Sequence, residues 1–165
     1  MLLRAFALVH AQRPCRLVIL GRGKQREHLL RVATELGVAE DVALPGFVAN
    51  PYPYMAHAAV FAFTSRLEGL GFVVIEALAM GTPVVSTDCP SGPREILRNG
   101  YYGPLVPVGD HQAMAQALVR VLEQPRDRGF LRSAAKPYTV ETATDAYLQV
   151  FGLKKRADDG SQQTQ

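Results

Sequence analysis

The chain has 165 residues, 48% of them hydrophobic and 20% charged, with a net charge of +3. That is an ordinary globular composition, long enough for one domain with a real core. The 18 Lys and Arg residues are scattered rather than gathered along one stripe, which argues against a nucleic-acid partner and for an anionic small molecule.

Residues 1–10, MLLRAFALVH, look at first like a signal peptide, but Arg4 interrupts the apolar run and His10 closes it early. Leu3, Phe6, Ala7 and His10 instead recur at helical spacing. Residues 16–20 predict a buried strand that ends in Gly21-Arg22-Gly23. Residues 24–36 predict an amphipathic helix, with Gly37 placed as its C-terminal cap. Residues 42–44 predict a short strand, followed by Pro45 and Gly46. A short helix is expected from about Tyr52, then a strand over 60–64. The segment 72–80 is an apolar helix closed by Gly81 and Pro83. Strands at 84–87 and 105–106 flank a short helix over 93–98. Asp110 caps a helix from His111 to Glu123, and a helical pair spans roughly 126–151.

Strands alternating with helices imply an α/β fold: a doubly wound parallel sheet covered on both faces. The unbroken apolar character of residues 60–63 and 83–85 predicts strands buried on both sides. Ligands of such sheets bind outside the carboxyl ends of the strands, where the Gly21 and Gly69–Gly71 turns fall. No apolar run approaches the roughly 20 residues needed to span a bilayer. Cys15 and Cys89 have no metal-ligand spacing and read as reduced thiols of a cytoplasmic protein. His10, His28, His57 and His111 are dispersed, without metal spacing. Tyr52, Tyr54, Tyr101 and Tyr102 read as packing residues with a polar tip.

The chemistry concentrates in residues 68–76, EGLGFVVIE. Gly69 and Gly71 let the backbone turn sharply and approach a ligand. The amides of Gly71, Phe72 and Val73 then open a helix, and unpaired N–H donors at a helix start suit a phosphate. Glu76 is the only charged residue between Phe72 and Val85. Burying it costs several kcal/mol unless it is paired or hydrogen-bonded. Two carboxylates beside a phosphate cradle would fit a sugar nucleotide. The plain alternative is a solvated Glu68 and a Glu76 paired with a core Arg; composition does not choose. Arg66 stands beside Glu68, as its ion-pair partner or as a ligand contact. Arg22 and Lys24 read as a solvated helix start, with a place bordering the phosphate region as the alternative. The Gly21–Lys24 stretch has Arg26 where a dinucleotide fingerprint needs its third glycine, which disfavours an NAD-type oxidoreductase. Arg94 and Glu95 read as structural.

Residues 65–88, SRLEGLGFVVIEALAMGTPVVSTD, closely resemble the E-x7-E signature of retaining glycosyltransferases of family 4. The CPSGPREI stretch at 89–96, the LVILGRG stretch at 17–23 and the LPGF stretch at 44–47 resemble that family in order and spacing. The resemblance spans about residues 2–152. It implies the C-terminal, donor-binding domain of a GT-B enzyme; after it, residues 153–165 are polar and read as a disordered tail. It further implies a cytoplasmic bacterial enzyme of polysaccharide biosynthesis, moving a hexosyl or N-acetylhexosaminyl group. The donor would be a nucleotide sugar, a UDP-sugar above all, and the acceptor a glycan or lipid-linked sugar.

Residue by residue, the resemblance makes Glu68 the catalytic-site acid that holds donor-sugar hydroxyls and Glu76 the acid on the ribose diol. Gly69, Gly71, Phe72 and Val73 would line the diphosphate, Phe47 and Val48 would border the base, and Gly21 and Arg66 would edge the site. No metal or other cofactor is expected. Family members carry, ahead of the segment that begins here, a strand ending in Gly-Arg and then a Lys, and an acceptor-binding domain before that. Neither lies in this chain, so the expectation is a sheet lacking its first strand and a fragment inactive alone. The absent domain would also carry any peripheral association with the inner face of the cytoplasmic membrane. The competing expectation is a truncated frame kept as a non-catalytic nucleotide-binding or interaction module.

Overall fold

The computed structural model describes residues 1–153; the polar tail expected over 153–165 lies, except for Leu153, outside them. The chain divides into two compact units, Met1–Ala135 and a second from Lys136. In the first unit the order is α1 (Leu2–His10), β1 (Leu17–Leu20), α2 (Arg26–Glu35), a 3-10 turn (Ala39–Asp41) and β2 (Val42–Gly46). It continues with α3 (Tyr52–His57), β3 (Phe61–Phe63), α4 (Phe72–Ala79), β4 (Val84–Thr87) and α5 (Pro93–Ile96). It ends with β5 (Leu105–Val106), α6 (His111–Glu123) and α7 (Arg128–Ser133). The second unit holds a 3-10 turn (Lys136–Tyr138) and α8 (Val140–Val150), with the Thr139 hydroxyl accepting from the Thr142 N–H at 3.2 Å as helix cap.

All strand pairs are parallel, as alternating strands and helices require, but they form two sheets: β1-β2 and β3-β4-β5. The β1–β2 ladder shifts between Val18 and Leu20, opposite the stretch that contains Pro45. Proline has no N–H to give to a ladder and is tolerated on an outer strand such as β2. In the second sheet β4 is buried along its whole length. By contrast β3, expected to be buried on both sides, is only half-buried, because among the described residues it pairs with β4 alone. Val18 of β1 is also exposed, and among the described residues β1 pairs only with β2.

Helix α1 joins the two halves. Its Leu3 and Phe6 pack with Ala33, Val38 and Val42, while its Ala5 and Val9 pack with Val85, Val106, Met114 and Leu118. One amphipathic helix therefore closes both apolar clusters, which is how two small sheets share a core. At its end His10 Nε2 meets Asp41 Oδ2 at 2.9 Å, with Arg16 Nε 3.6 Å from Asp41 Oδ1.

Helix ends follow their local chemistry. Gly37 takes a φ of +70°, its N–H donating to Thr34 O and that of Val38 to Ala33 O. Gly81 repeats this closure after α4, with φ +74° and bonds from Gly81 N–H to Leu78 O and from Thr82 N–H to Ala77 O. This paired closure satisfies carbonyls that a helix end leaves open. Asp110 caps α6 as expected, its Oδ1 accepting from Gln112 N–H at 3.0 Å and Ala113 N–H at 2.9 Å.

Asp110→Ala should lower the unfolding free energy by about 1 kcal/mol, the cost of a lost N-cap, read as a shifted denaturation midpoint at unchanged slope. Gly103→Ala would set a Cβ 2.3 Å from the Val84 carbonyl oxygen on buried β4. Neither backbone can yield cheaply, so the loss should be about 3 kcal/mol or more in the same titration.

Candidate functional site

The candidate site is built by the segments that leave the carboxyl ends of β1 through β4. After β1, Gly21 adopts a φ of +114° and its N–H donates to Gly46 O at 2.8 Å. After β2, Gly46 turns with φ +86° and presents Phe47, which is 64% exposed. The Arg22 guanidinium lies over the Phe47 ring, 5.7 Å from its centroid. Val48 beside it is half-buried. Arg22, taken from the sequence as a solvated helix start, thus joins an exposed cation–aromatic pair.

After β3 comes the Glu68–Gly71 turn. Thr87, fully buried at the end of β4, donates its hydroxyl to the Ser65 carbonyl at 2.6 Å. Ser65 in turn donates to Glu68 Oε1 at 2.6 Å. A buried hydroxyl must find an acceptor, and this one fixes the loop that carries Glu68. No ion pair links Arg66 to Glu68 among the described residues, and Arg66 is exposed. Gly71 starts α4 in the left-handed region, at φ +82° and ψ +53°. Gly69 does not share that conformation and has open space around its Cα, so the sharp turn belongs to Gly71 alone.

No side chain caps α4. The Phe72 and Val73 amides have no helix acceptor, as at any helix start, and both residues are exposed, whereas Gly71 is buried and the Val74 N–H donates to Gly71 O at 2.9 Å. Glu76, expected to be a buried carboxylate, is half-buried. The helix buries Val74, Ile75, Ala77 and Leu78 and leaves the Phe72–Val73–Glu76 face toward water. Its charge therefore keeps part of its hydration. The Tyr52 hydroxyl donates to Glu76 Oε1 at 3.3 Å. No core Arg pairs with Glu76 among the described residues.

After β4, Arg94 grips Asp88 with Nε at 3.0 Å from Oδ1 and with Nη2 on Oδ2, a two-pronged pair that holds the 88–94 loop. Inside it Ser91 has φ +67° and Gly92 has φ +71°. A Cβ on Gly92 would fall 1.9 Å from the Leu70 carbonyl oxygen, so this glycine lets the loop close onto the Glu68–Gly71 turn. Burial pushes the Cys89 thiol up, with the nearby Glu68 carboxylate adding to the effect. Cys89 is thus a poor nucleophile.

Sequence reasoning missed Tyr52, Ser65, Thr87 and Gly92. Only Gly92 left a signal, in the Pro-Ser-Gly-Pro run at 90–93. Among the described residues no group of three His, Cys, Asp or Glu could hold a metal ion. A surface depression of about 360 Å³, lined by His10, Pro14, Cys15, Arg16 and Asp41, lies at the other end of the strands, where β1 and β2 begin.

Residues 1–124 match the family Glycosyl transferases group 1. Over 157 residues the chain is 39% identical to the N-acetylgalactosamine-N,N'-diacetylbacillosaminyl-diphospho-undecaprenol 4-alpha-N-acetylgalactosaminyltransferase of Campylobacter jejuni, covering 92% of this chain and 42% of that protein. Over 141 residues it is 36% identical to the lipopolysaccharide core biosynthesis glycosyltransferase LpsE of Rhizobium meliloti, covering 82% and 41%. The fold matches the crystal structure of Anabaena Alr3699/HepE in complex with UDP at a TM-score of 0.75 and 24% identity, over 93% of this chain and 45% of that one. The chain therefore spans less than half the length of these relatives. By the match over residues 1–124 and the similarity along most of its length, the chain belongs to the group 1 glycosyltransferases.

Proposed function

We propose that this chain is the donor-binding part of a longer retaining glycosyltransferase that uses a nucleotide sugar, with a UDP-sugar as the leading choice. The observation that carries this reading is the placement of Glu68 and Glu76 on either side of the uncapped α4 start, each carboxylate already held by a hydroxyl. Glu76 would accept hydrogen bonds from the ribose diol and Glu68 from donor-sugar hydroxyls. The Gly71, Phe72 and Val73 amides would face the diphosphate, where fixed dipoles stabilise charge as it develops on the leaving group. Gly69 would let the diphosphate approach closely, and Arg66 and Gly21 would edge the site. Phe47 and Val48 would border the base, with the Arg22–Phe47 pair as a flat surface beside it. UDP in the Anabaena structure supports the choice of nucleotide. Departure of the diphosphate from the face the acceptor attacks would retain configuration; this assignment rests on the family resemblance.

The acceptor site and the remaining diphosphate cations would come from further polypeptide. Among the described residues β1 and β3 each pair on one side only, while α1 packs against both sheets. A parallel strand between β1 and β3 would join them into one doubly wound sheet and cover Val18 and β3. On this reading the isolated chain transfers no sugar, and the acceptor would be a glycan or a lipid-linked sugar, as the diphospho-undecaprenol in the Campylobacter relative's name suggests.

Calorimetric titration separates the two acids. Glu76→Ala should weaken UDP binding about tenfold or more, the loss of a hydrogen bond to a charged group. Glu68→Ala should leave UDP affinity within about twofold and remove the extra affinity of the matching UDP-sugar. Equal effects of both variants on UDP would overturn the assignment of roles. Sugar transfer to any acceptor by residues 1–165 alone, followed by product mass, would refute the need for further polypeptide.

A further inference from the structure

We infer that Tyr52 is a positioning residue for Glu76: it holds the carboxylate turned for a ribose diol and so sets the preference for ribonucleotides over deoxyribonucleotides. The inference rests on the proposed role of Glu76 and extends it to a residue that the sequence presents as ordinary packing.

The geometry is built from several independent ties. Tyr52 is the first residue of α3, and its N–H donates to Asn50 Oδ1 at 3.1 Å, which fixes the helix start. Farther along, the buried Thr82 hydroxyl donates to Met55 O at 2.6 Å. Arg128 Nη2 donates both to Ala56 O at 2.8 Å and to Met80 O at 3.0 Å, so one cation clasps the ends of α3 and α4. Met55, 7% exposed, is buried between these ties. The distance of the Tyr52 hydroxyl from Glu76 Oε1, 3.3 Å, is thus set by how α3 lies on α4 and not by that one bond.

A glutamate has three side-chain torsions to freeze before it can hold a ligand, and that ordering opposes binding. Toward a carboxylate, which has no proton to give, a phenol hydroxyl can only donate. Tyr52 therefore occupies Oε1 and leaves Oε2, with the remaining lone pairs, for the two adjacent hydroxyls of a ribose. A deoxyribose offers one hydroxyl fewer and gains less from a carboxylate held this way. Tyr52 is 44% exposed, so loss of its hydroxyl removes a donor and leaves the packing of α3 in place.

The test is the ratio of UDP to 2′-deoxy-UDP affinity, measured by calorimetry on the wild type, Tyr52→Phe, Glu76→Ala and the double variant. Wild type should prefer UDP, and Glu76→Ala should abolish the preference. Tyr52→Phe should reduce the ratio about fivefold, the worth of one partly solvated hydrogen bond, with an unchanged denaturation midpoint. In the Glu76→Ala background the tyrosine change should add nothing. If Tyr52→Phe weakens both nucleotides equally, or leaves the ratio intact while Glu76→Ala abolishes it, Tyr52 is only packing and the inference fails while the Glu76 role stands. A wild type that shows no ribose preference overturns both.

Discussion

A hydroxyl sealed from water at the end of a central strand sets the geometry of everything around it. Thr87 is fully buried, and its hydroxyl donates to the Ser65 carbonyl in the loop that leaves the neighbouring strand, with the Phe63 carbonyl of β3 beside it at 3.4 Å. It holds the Ser65 carbonyl, Ser65 holds Glu68, and Gly71 then turns the chain into α4. On the other side Gly92 lets the loop after β4 close against Leu70. The acidic turn is therefore gripped from two directions by a strand whose own position is fixed by burial on both faces. This is the ordinary way a parallel sheet builds a site: the strand ends are rigid, and the loops between them inherit that rigidity.

Rigidity is unevenly spread. β4 is sealed, while β3 and Val18 of β1 keep contact with water. What keeps the two sheets together is α1, whose opposite sides serve different apolar clusters. A helix in that position does for the core what a shared strand would do for the hydrogen bonds. The apolar clusters meet under it, and the ladders do not.

Much of the fold was legible in the sequence because it depends on local rules. The strand at 84–87, the Asp110 cap, and the glycines at 37 and 81 follow from apolar runs, capping chemistry and positive φ, which neighbouring residues suffice to specify. The EGLGFVVIE motif was legible as a turn into a helix for the same reason. Depth of burial was not. Glu76 sits in an apolar run, yet the run has an outward face, since only α4's other face is packed. The same limit applies to β3, whose composition suits a strand buried on both sides although it is paired on one. The two glycines of the turn looked alike, and backbone geometry separates them: Gly71 needs the left-handed region and Gly69 does not.

Partners far apart in the chain were the least legible. Nothing near Tyr52 points to Glu76, 24 residues on, and nothing near Arg128 points to the ends of α3 and α4. The sequence by itself determined the parallel α/β architecture, the helix ends and the residue types of an acid-flanked phosphate turn, since periodicity, capping and glycine conformations act over a few neighbouring residues. Only the tertiary structure decided which hydroxyl holds which carboxylate and how much water each acid keeps. Those depend on how helices lie across strands distant in the chain, and short-range patterns carry no record of that.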